Sequence, residues 1–267
     1  MRRMVRSAAM FSVLFFAHVC VANPQATPQP QSPSSKADPL PSVDEIAAKC
    51  AKGSGGKEAW AKLSTLVMTG TMEIPAASLT GKIEVYAKAP NKTLRIVTLA
   101  DGQFVQKEAF DGKAGWKSDP QTGLKRLEGA ELETAKMESA FDTEVRLKEI
   151  YPDMKVTGRA KVGDRDAYTV LTHEPGGKTL TFYFDAQTGV RIAEDSEAPD
   201  ESGQVQKTSI VFEDYRSLGG VQIPYRIRGD AASFSFVIRI QDARYNTPVD
   251  DAMFAVPAAS PSPTSPQ

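Results

Sequence analysis

The chain is poor in the side chains that build most small catalytic and metal centres. Its 267 residues include 2 cysteines and 2 histidines, and one of each, Cys20 and His18, falls within the first 22 positions. Beyond these stand only Cys50 and His173. A single cysteine closes no internal disulfide, so an exported form must hold its fold by its core alone. One histidine and one cysteine do not make a zinc site of the usual nitrogen and sulfur type. Gly-x-Ser-x-Gly and His-Glu-x-x-His are both missing, which excludes the nucleophile elbow and the zinc-protease helix. The stretch Gly53-Ser54-Gly55-Gly56-Lys57 is glycine-rich but lacks the spacing of a phosphate loop and follows no strand. Carboxylates gather at Glu194, Asp195, Glu197, Asp200 and Glu201 and at Asp250-Asp251, outside any calcium-loop pattern; they read as solvated hairpin tips. These residues imply no enzyme, no metal and no cofactor.

Charge of either sign is also not in excess. There are 32 basic and 33 acidic residues, interspersed, for a net charge of −1. A nucleic-acid binder would show a basic patch and a high pI, and that class is excluded. Long apolar runs are confined to the N-terminus. Arg2, Arg3 and Arg6 precede the apolar stretch Ala8 to Val21, and Cys20-Val21-Ala22 fits a signal-peptidase site. The run is short of the roughly 20 residues a spanning helix needs. Residues 1–22 are therefore expected to be a cleaved signal peptide, and the mature protein to be periplasmic or secreted and not membrane-spanning. Val19 before Cys20 is a poor fit to a lipid-attachment signal, which favours a soluble mature form.

Residues 23–42, NPQATPQPQSPSSKADPLPS, and residues 258–267, AASPSPTSPQ, are dominated by Pro, Gln, Ser and Thr. They cannot bury apolar surface and read as a disordered leader and tail. The folded part is expected to be residues 43–257. It opens with a helix: Ser42 can cap, Glu45 sits three residues on, and Val43, Ile46, Ala47 and Cys50 share one face.

Strands follow. In Thr179-Leu-Thr-Phe-Tyr-Phe184, Leu180, Phe182 and Phe184 alternate with more polar residues, the period of a half-buried strand. Asp185 to Gly189 supplies a turn, after which Val190 and Ile192 resume the apolar side against Arg191 and Glu194. Similar alternation recurs from Leu66 to Ser118 and from Lys155 to Tyr245, with short turns such as Asp111-Gly112 and Gly163-Asp164. Short loops make neighbours antiparallel. The count is about eleven strands. Between Gly129 and Tyr151 alternation stops and no proline occurs; Met137, Phe141 and Val145 recur at four, the mark of a helical insert.

Five blocks, GGKEAWAKLSTLVMTGTM, AFDGKAGWKSDP, VGDRDAYTVLTHEPGGKTLTFYFDAQTGVRIAED, YRSLGGVQIPYRIR and YNTPVDDAMFAVP, resemble in order and spacing the periplasmic lipoprotein-carrier superfamily, the LolA/LolB-like lipoprotein-sorting proteins. The resemblance covers about Val43 to Pro257. It implies an α+β, mainly β fold: a curved antiparallel sheet forming an incomplete barrel, with helices over its open side and a hydrophobic cavity between. Members carry lipoprotein acyl chains across the periplasm or bind other hydrophobic or envelope molecules, and the fold also serves as a periplasmic stress sensor. None of the carrier's functional residues maps onto a particular position of this chain.

On this basis Ile83, Val85, Leu180, Phe182, Phe184, Phe234, Phe236, Ile238 and Ile240 are the candidate lining of a hydrophobic cavity. Met137, Phe141 and Val145 are candidate lid residues. The expected ligand is a lipid or lipoprotein acyl chain, with envelope proteins as possible partners. The other reading open at this stage is a sensor or protein-interaction module, in which the same apolar face is closed core.

Overall fold

The computed structural model describes residues 39–199, 203–231 and 234–257. The expected signal peptide, almost all of the expected leader and the expected tail lie outside them. The described residues from Leu40 onward form one compact unit.

The chain opens with α1 (Val43–Gly53). Ser42 and Glu45 form a reciprocal capping box, Ser42 N donating to Glu45 Oε2 at 2.7 Å and Glu45 N to Ser42 Oγ at 3.2 Å. A single turn, α2 (Lys57–Trp60), follows. Then come β1 (Thr65–Ile74), β2 (Leu79–Lys88), β3 (Lys92–Leu99), β4 (Phe104–Phe110), β5 (Gly115–Asp119) and β6 (Gly123–Arg126), an antiparallel meander. The insert holds α3 (Gly129–Glu138), a 3-10 turn at Thr143–Val145 and α4 (Leu147–Ile150). A second meander runs through β7 (Lys155–Val162), β8 (Arg165–Glu174), β9 (Lys178–Asp185), β10 (Arg191–Pro199), β11 (Val205–Leu218), β12 (Val221–Ala231) and β13 (Ser235–Tyr245).

Strand order is β6-β5-β4-β3-β2-β1-β13-β12-β11-β10-β9-β8-β7. The two meanders join where β13 returns to pair with β1, and β6 and β7 are free edges, so the curved sheet does not close into a barrel. This order explains the insert. It must carry the chain from one edge strand, β6, to the other, β7, and its side chains pack against inward residues of β2, β9, β12 and β13. It therefore spans the concave face. The expected half-barrel is the observed fold, with thirteen strands rather than about eleven. The short β6 carries Gly-Leu-Lys-Arg, all exposed, and no apolar alternation betrays it.

α1 and α2 close one end, while α3 runs to the β8–β9 turn, where Ala130 lies against Gly176. Gly189, at φ +82°, lies in the β9–β10 turn, where an added Cβ would stand 2.6 Å from the carbonyl oxygen of Lys49 in α1. Only glycine lets the helix backbone dock that closely. Phe141 N donates to the carbonyl of Pro90 at the β2–β3 turn, and the hydroxyls of Thr93 and Ser139 are 2.7 Å apart. Toward the far end a 3-10 turn, Pro75–Ala77, contacts β13. On the convex side the segment after β13 straps back over β1 to β5. Phe254 is fully buried against Val67, Leu94, Ala109 and Trp116, and Trp116 Nε1 donates to its carbonyl at 3.0 Å.

Candidate functional site

Inward positions follow from the register. On β13 they are Phe236, Ile238 and Ile240, which face Gly229 and Ile227 of β12 and Met72 and Gly70 of β1. On β2 they are Ile83 and Val85, opposite Gly70 and Met68. Two separate apolar clusters result. The first joins Ile83, Ile238 and Ile240 to Trp60, Leu63, Val221, Ile223 and Ala243. Around it Met68, Met72, Val85, Val97, Tyr225, Ile227, Phe236, Phe141 and Val145 remain partly exposed. The second joins Leu180, Phe182 and Phe184 to Ile46, Cys50, Leu147, Tyr151, Met154 and Val170, with Met137 packed on it.

The candidates thus divide. Phe182 and Phe184 have relative exposures of 0% and 1%, and Leu180 has 4%. Phe182 stands edge-on to Tyr151 at 5.1 Å and to Phe184 at 6.1 Å. These three line no open space; they are packed core under α1 and α4. The alternation that marks them gives the buried face of a strand but not what covers it. Ile83, Ile238 and Ile240 are also buried, at 5%, 9% and 8%, and form the base of the other cluster; of the candidates on β2 and β13 there, Val85 and Phe236 keep partial exposure. Phe234 is half-buried beside them, its ring 6.0 Å from that of Phe236. The lid candidates divide too. Met137 lies on the closed cluster, while Phe141 and Val145 lie on the open one, because α3 ends at Glu138 and the chain turns before the 3-10 segment.

Between the clusters sits Arg191. Sequence alternation sets Arg191 and Glu194 on the polar side and Val190 and Ile192 on the buried one. A register break between Arg191 and Ala193 places Ile192 with Val190 and Ala167 in a small cluster with Tyr183 and Tyr215, while Arg191 sits opposite Phe184 and Glu194 opposite Phe182 on the inward side. Glu194 thus belongs to the interior and not to a solvated tip. The guanidinium lies over Phe182 at 5.0 Å and Phe212 at 5.6 Å, and pairs with Glu144 at 2.9 Å and Glu194 at 3.2 Å. Burial opposes its charge, but the two carboxylates outweigh that and raise its pKa further. Cys50 Sγ donates to the other oxygen of Glu144 at 3.1 Å; burial first, then that carboxylate, push its thiol pKa well up. A buried thiol held protonated is a poor nucleophile. His173, exposed at the rim, shares a hydrogen bond of 2.6 Å with Asp153. Among the described residues no group of three or more His, Cys, Asp or Glu is placed to hold a metal.

The residues missed from sequence are Trp60, Met68, Met72, Val97, Tyr225, Ile227 and Tyr245. Met68 and Met72 carry the signal that would have found them, since they lie on the apolar side of β1. Trp60 and Tyr245 carry none, being a helix end and a strand end.

The open cluster owes its shape to a glycine. Gly229 pairs directly with Phe236, and a Cβ there would meet the Phe236 ring at 2.1 Å. The outer part of the ring occupies the space a side chain at 229 would fill, the arrangement in which an aromatic covers a strand glycine.

No protein-family model and no curated protein matches the chain. Solved structures do. A LolA superfamily protein from Nitrosomonas europaea superposes with a TM-score of 0.54 at 14% identity, over 81% of this chain and 98% of that one. The fold of this chain is that of the LolA superfamily. A DUF1329 family protein from Desulfovibrio piger gives 0.53 at 16% identity, over 80% and 97%. A putative outer membrane lipoprotein-sorting protein domain from Vibrio parahaemolyticus gives 0.51 at 11%, over 79% and 94%. Likeness at these identities concerns the fold alone. Among the described residues no helix is long and apolar enough to cross a membrane.

Proposed function

We propose that this protein is an exported binder or carrier of a hydrophobic ligand, taken up between the insert and the β1, β2, β12 and β13 part of the concave face. The observation that carries this reading is the uneven cover of that face. One half is packed core with a narrow edge of partly exposed residues such as Ile150 and Tyr168, and the other keeps a wider ring of partly exposed methionine, aliphatic and aromatic side chains around a buried base. Methionine and flat aromatic rings adapt to chains of varied shape. Burying ~10 methylenes at ~0.8 kcal/mol each yields about 8 kcal/mol gross, and association removes several of these, so an acyl chain should bind near micromolar or more weakly. The Arg191 network belongs to the frame: it ties Glu144 of the insert to β10, while Lys178 ties Glu138 of α3 to β9 at 3.1 Å. Signal-peptide removal and a periplasmic working place complete the proposal.

Native mass spectrometry of protein purified from the bacterial envelope tests it. A co-purifying lipid released by organic extraction is the expected result. A stoichiometric protein partner with no lipid, together with no binding of a fluorescent fatty acid, would replace the carrier by an interaction module.

A further inference from the structure

The capped end of the open cluster holds two polar groups that its packing leaves unused. Trp60 is 9% exposed, and its Nε1–H finds no hydrogen-bond partner among the described residues. The Tyr245 hydroxyl is likewise buried and unpartnered there. Both rings stand edge-on to Phe141, with centroids 6.1 and 6.4 Å from it, and both border the partly exposed apolar lining. The contrast with Trp116 is direct: in the closed convex cluster its Nε1–H has the Phe254 carbonyl at 3.0 Å. Buried N–H and O–H donors normally find acceptors, and leaving one unmade carries a desolvation cost. Burial holds the Tyr245 pKa above the usual phenol range, so it stays a protonated donor.

We infer that Trp60 and Tyr245 receive a hydrogen-bond acceptor oxygen on the buried part of the ligand, so the site takes an oxygen-bearing amphiphile, such as a carboxylic acid, ester or ketone, in preference to bare hydrocarbon. The inference rests on the proposed apolar site and adds the chemistry of its inner end. A site that offers fixed donors favours a partner with an acceptor, because a ligand without one leaves those donors dry and unpaired. A neutral acceptor suffices, since neither donor carries charge.

The test is displacement of a fluorescent apolar probe by a long-chain methyl ketone and by the straight alkane with the same number of heavy atoms. The wild type should favour the ketone by about tenfold, the size of one or two neutral hydrogen bonds. Tyr245→Phe should lose several-fold of that preference while its alkane affinity stays unchanged. Without ligand it should melt no lower than wild type, because an unpaired hydroxyl has been removed. Trp60→Phe should lower the preference again. Displacement by both compounds with no preference, or a preference that survives both substitutions, overturns the inference and leaves the apolar site standing. A clear fall in the melting temperature of ligand-free Tyr245→Phe also overturns it, since the hydroxyl would then have a structural partner. Displacement by neither compound removes the apolar site and the inference together.

Discussion

Two Phe-x-Phe pairs lie on the same face of the same sheet and meet opposite fates. Phe182 and Phe184 on β9 are sealed beneath α1, α4 and Tyr151. Phe234 and Phe236, at the start of β13, keep accessible surface. Their local sequences, Thr-Phe-Tyr-Phe and Ser-Phe-Ser-Phe, alternate alike. What differs is position along the strand axis and the route of the insert. α1 packs at the end where β9 turns into β10, and α4 and Tyr151 cover the β9 face, whereas Phe141 and Val145 are the insert residues on the β12–β13 side. Alternation reports that a strand has an apolar face. Topology decides whether that face is sealed or left partly exposed.

The largest expected effect separates the pairs. Phe182→Ala removes a ring with no exposed surface and should cost about 3–5 kcal/mol in chemical denaturation. Loss of only a fraction of that would show the β9 face to be loosely packed. Arg191→Met comes next. It leaves Glu144 and Glu194, with side chains 22% and 24% exposed, without their shared cation, and should cost about 2 kcal/mol. Measured stability within about 1 kcal/mol of wild type would mean that water reaches those carboxylates and that the border between the clusters is open.

Phe236→Ala should cost about 1 kcal/mol, since part of the ring is already in contact with solvent, yet it should weaken binding of a fluorescent fatty acid. Gly229→Ala sharpens the same point. Its Cβ would force the Phe236 ring off the sheet, so probe affinity should fall with little change in the denaturation midpoint. An unchanged affinity in both variants would move the ligand elsewhere.

The smallest effect is a control remote from both pairs. Asp251, in the convex strap, is held by Lys88 and Lys92 at 2.8 Å each, and these hydrogen bonds bring its pKa down to about 2. A depressed carboxylate pKa contributes stability above the unfolded value near 3.9, and that contribution fades as pH falls toward about 2. Thermal melts of Asp251→Asn should show a shallower decline across that window than wild type. Identical declines would mean that the strap does not depend on this pair.

The strands, the opening helix, the cap at Ser42 and the helical insert are all legible in the sequence, because period, capping residues and turn glycines are local. Four features are not. β6 is too short and too exposed to show a period. The inward turn of Arg191 depends on a one-residue register break, which reverses the face of every residue after it. The parting of Met137 from Phe141 and Val145 depends on where α3 stops, and spacing of four across a helix end no longer means a shared face. Trp60 and Tyr245 meet only because α2 folds over the end of β13. Each of these is set by long-range packing rather than by neighbours in the chain.

On the proposed reading, one half of the concave face receives ligand and the other does not. Fluorine NMR of protein carrying 4-fluorophenylalanine, with each resonance assigned by single Phe→Leu substitution, reads all the rings at once during titration with a medium-chain fatty acid. The account predicts that the signals of Phe234, Phe236 and Phe141 move with a common saturation curve while those of Phe182 and Phe184 stay in place. Movement of Phe182 and Phe184 with Phe234 and Phe236 unmoved, or no movement of any ring, would contradict it.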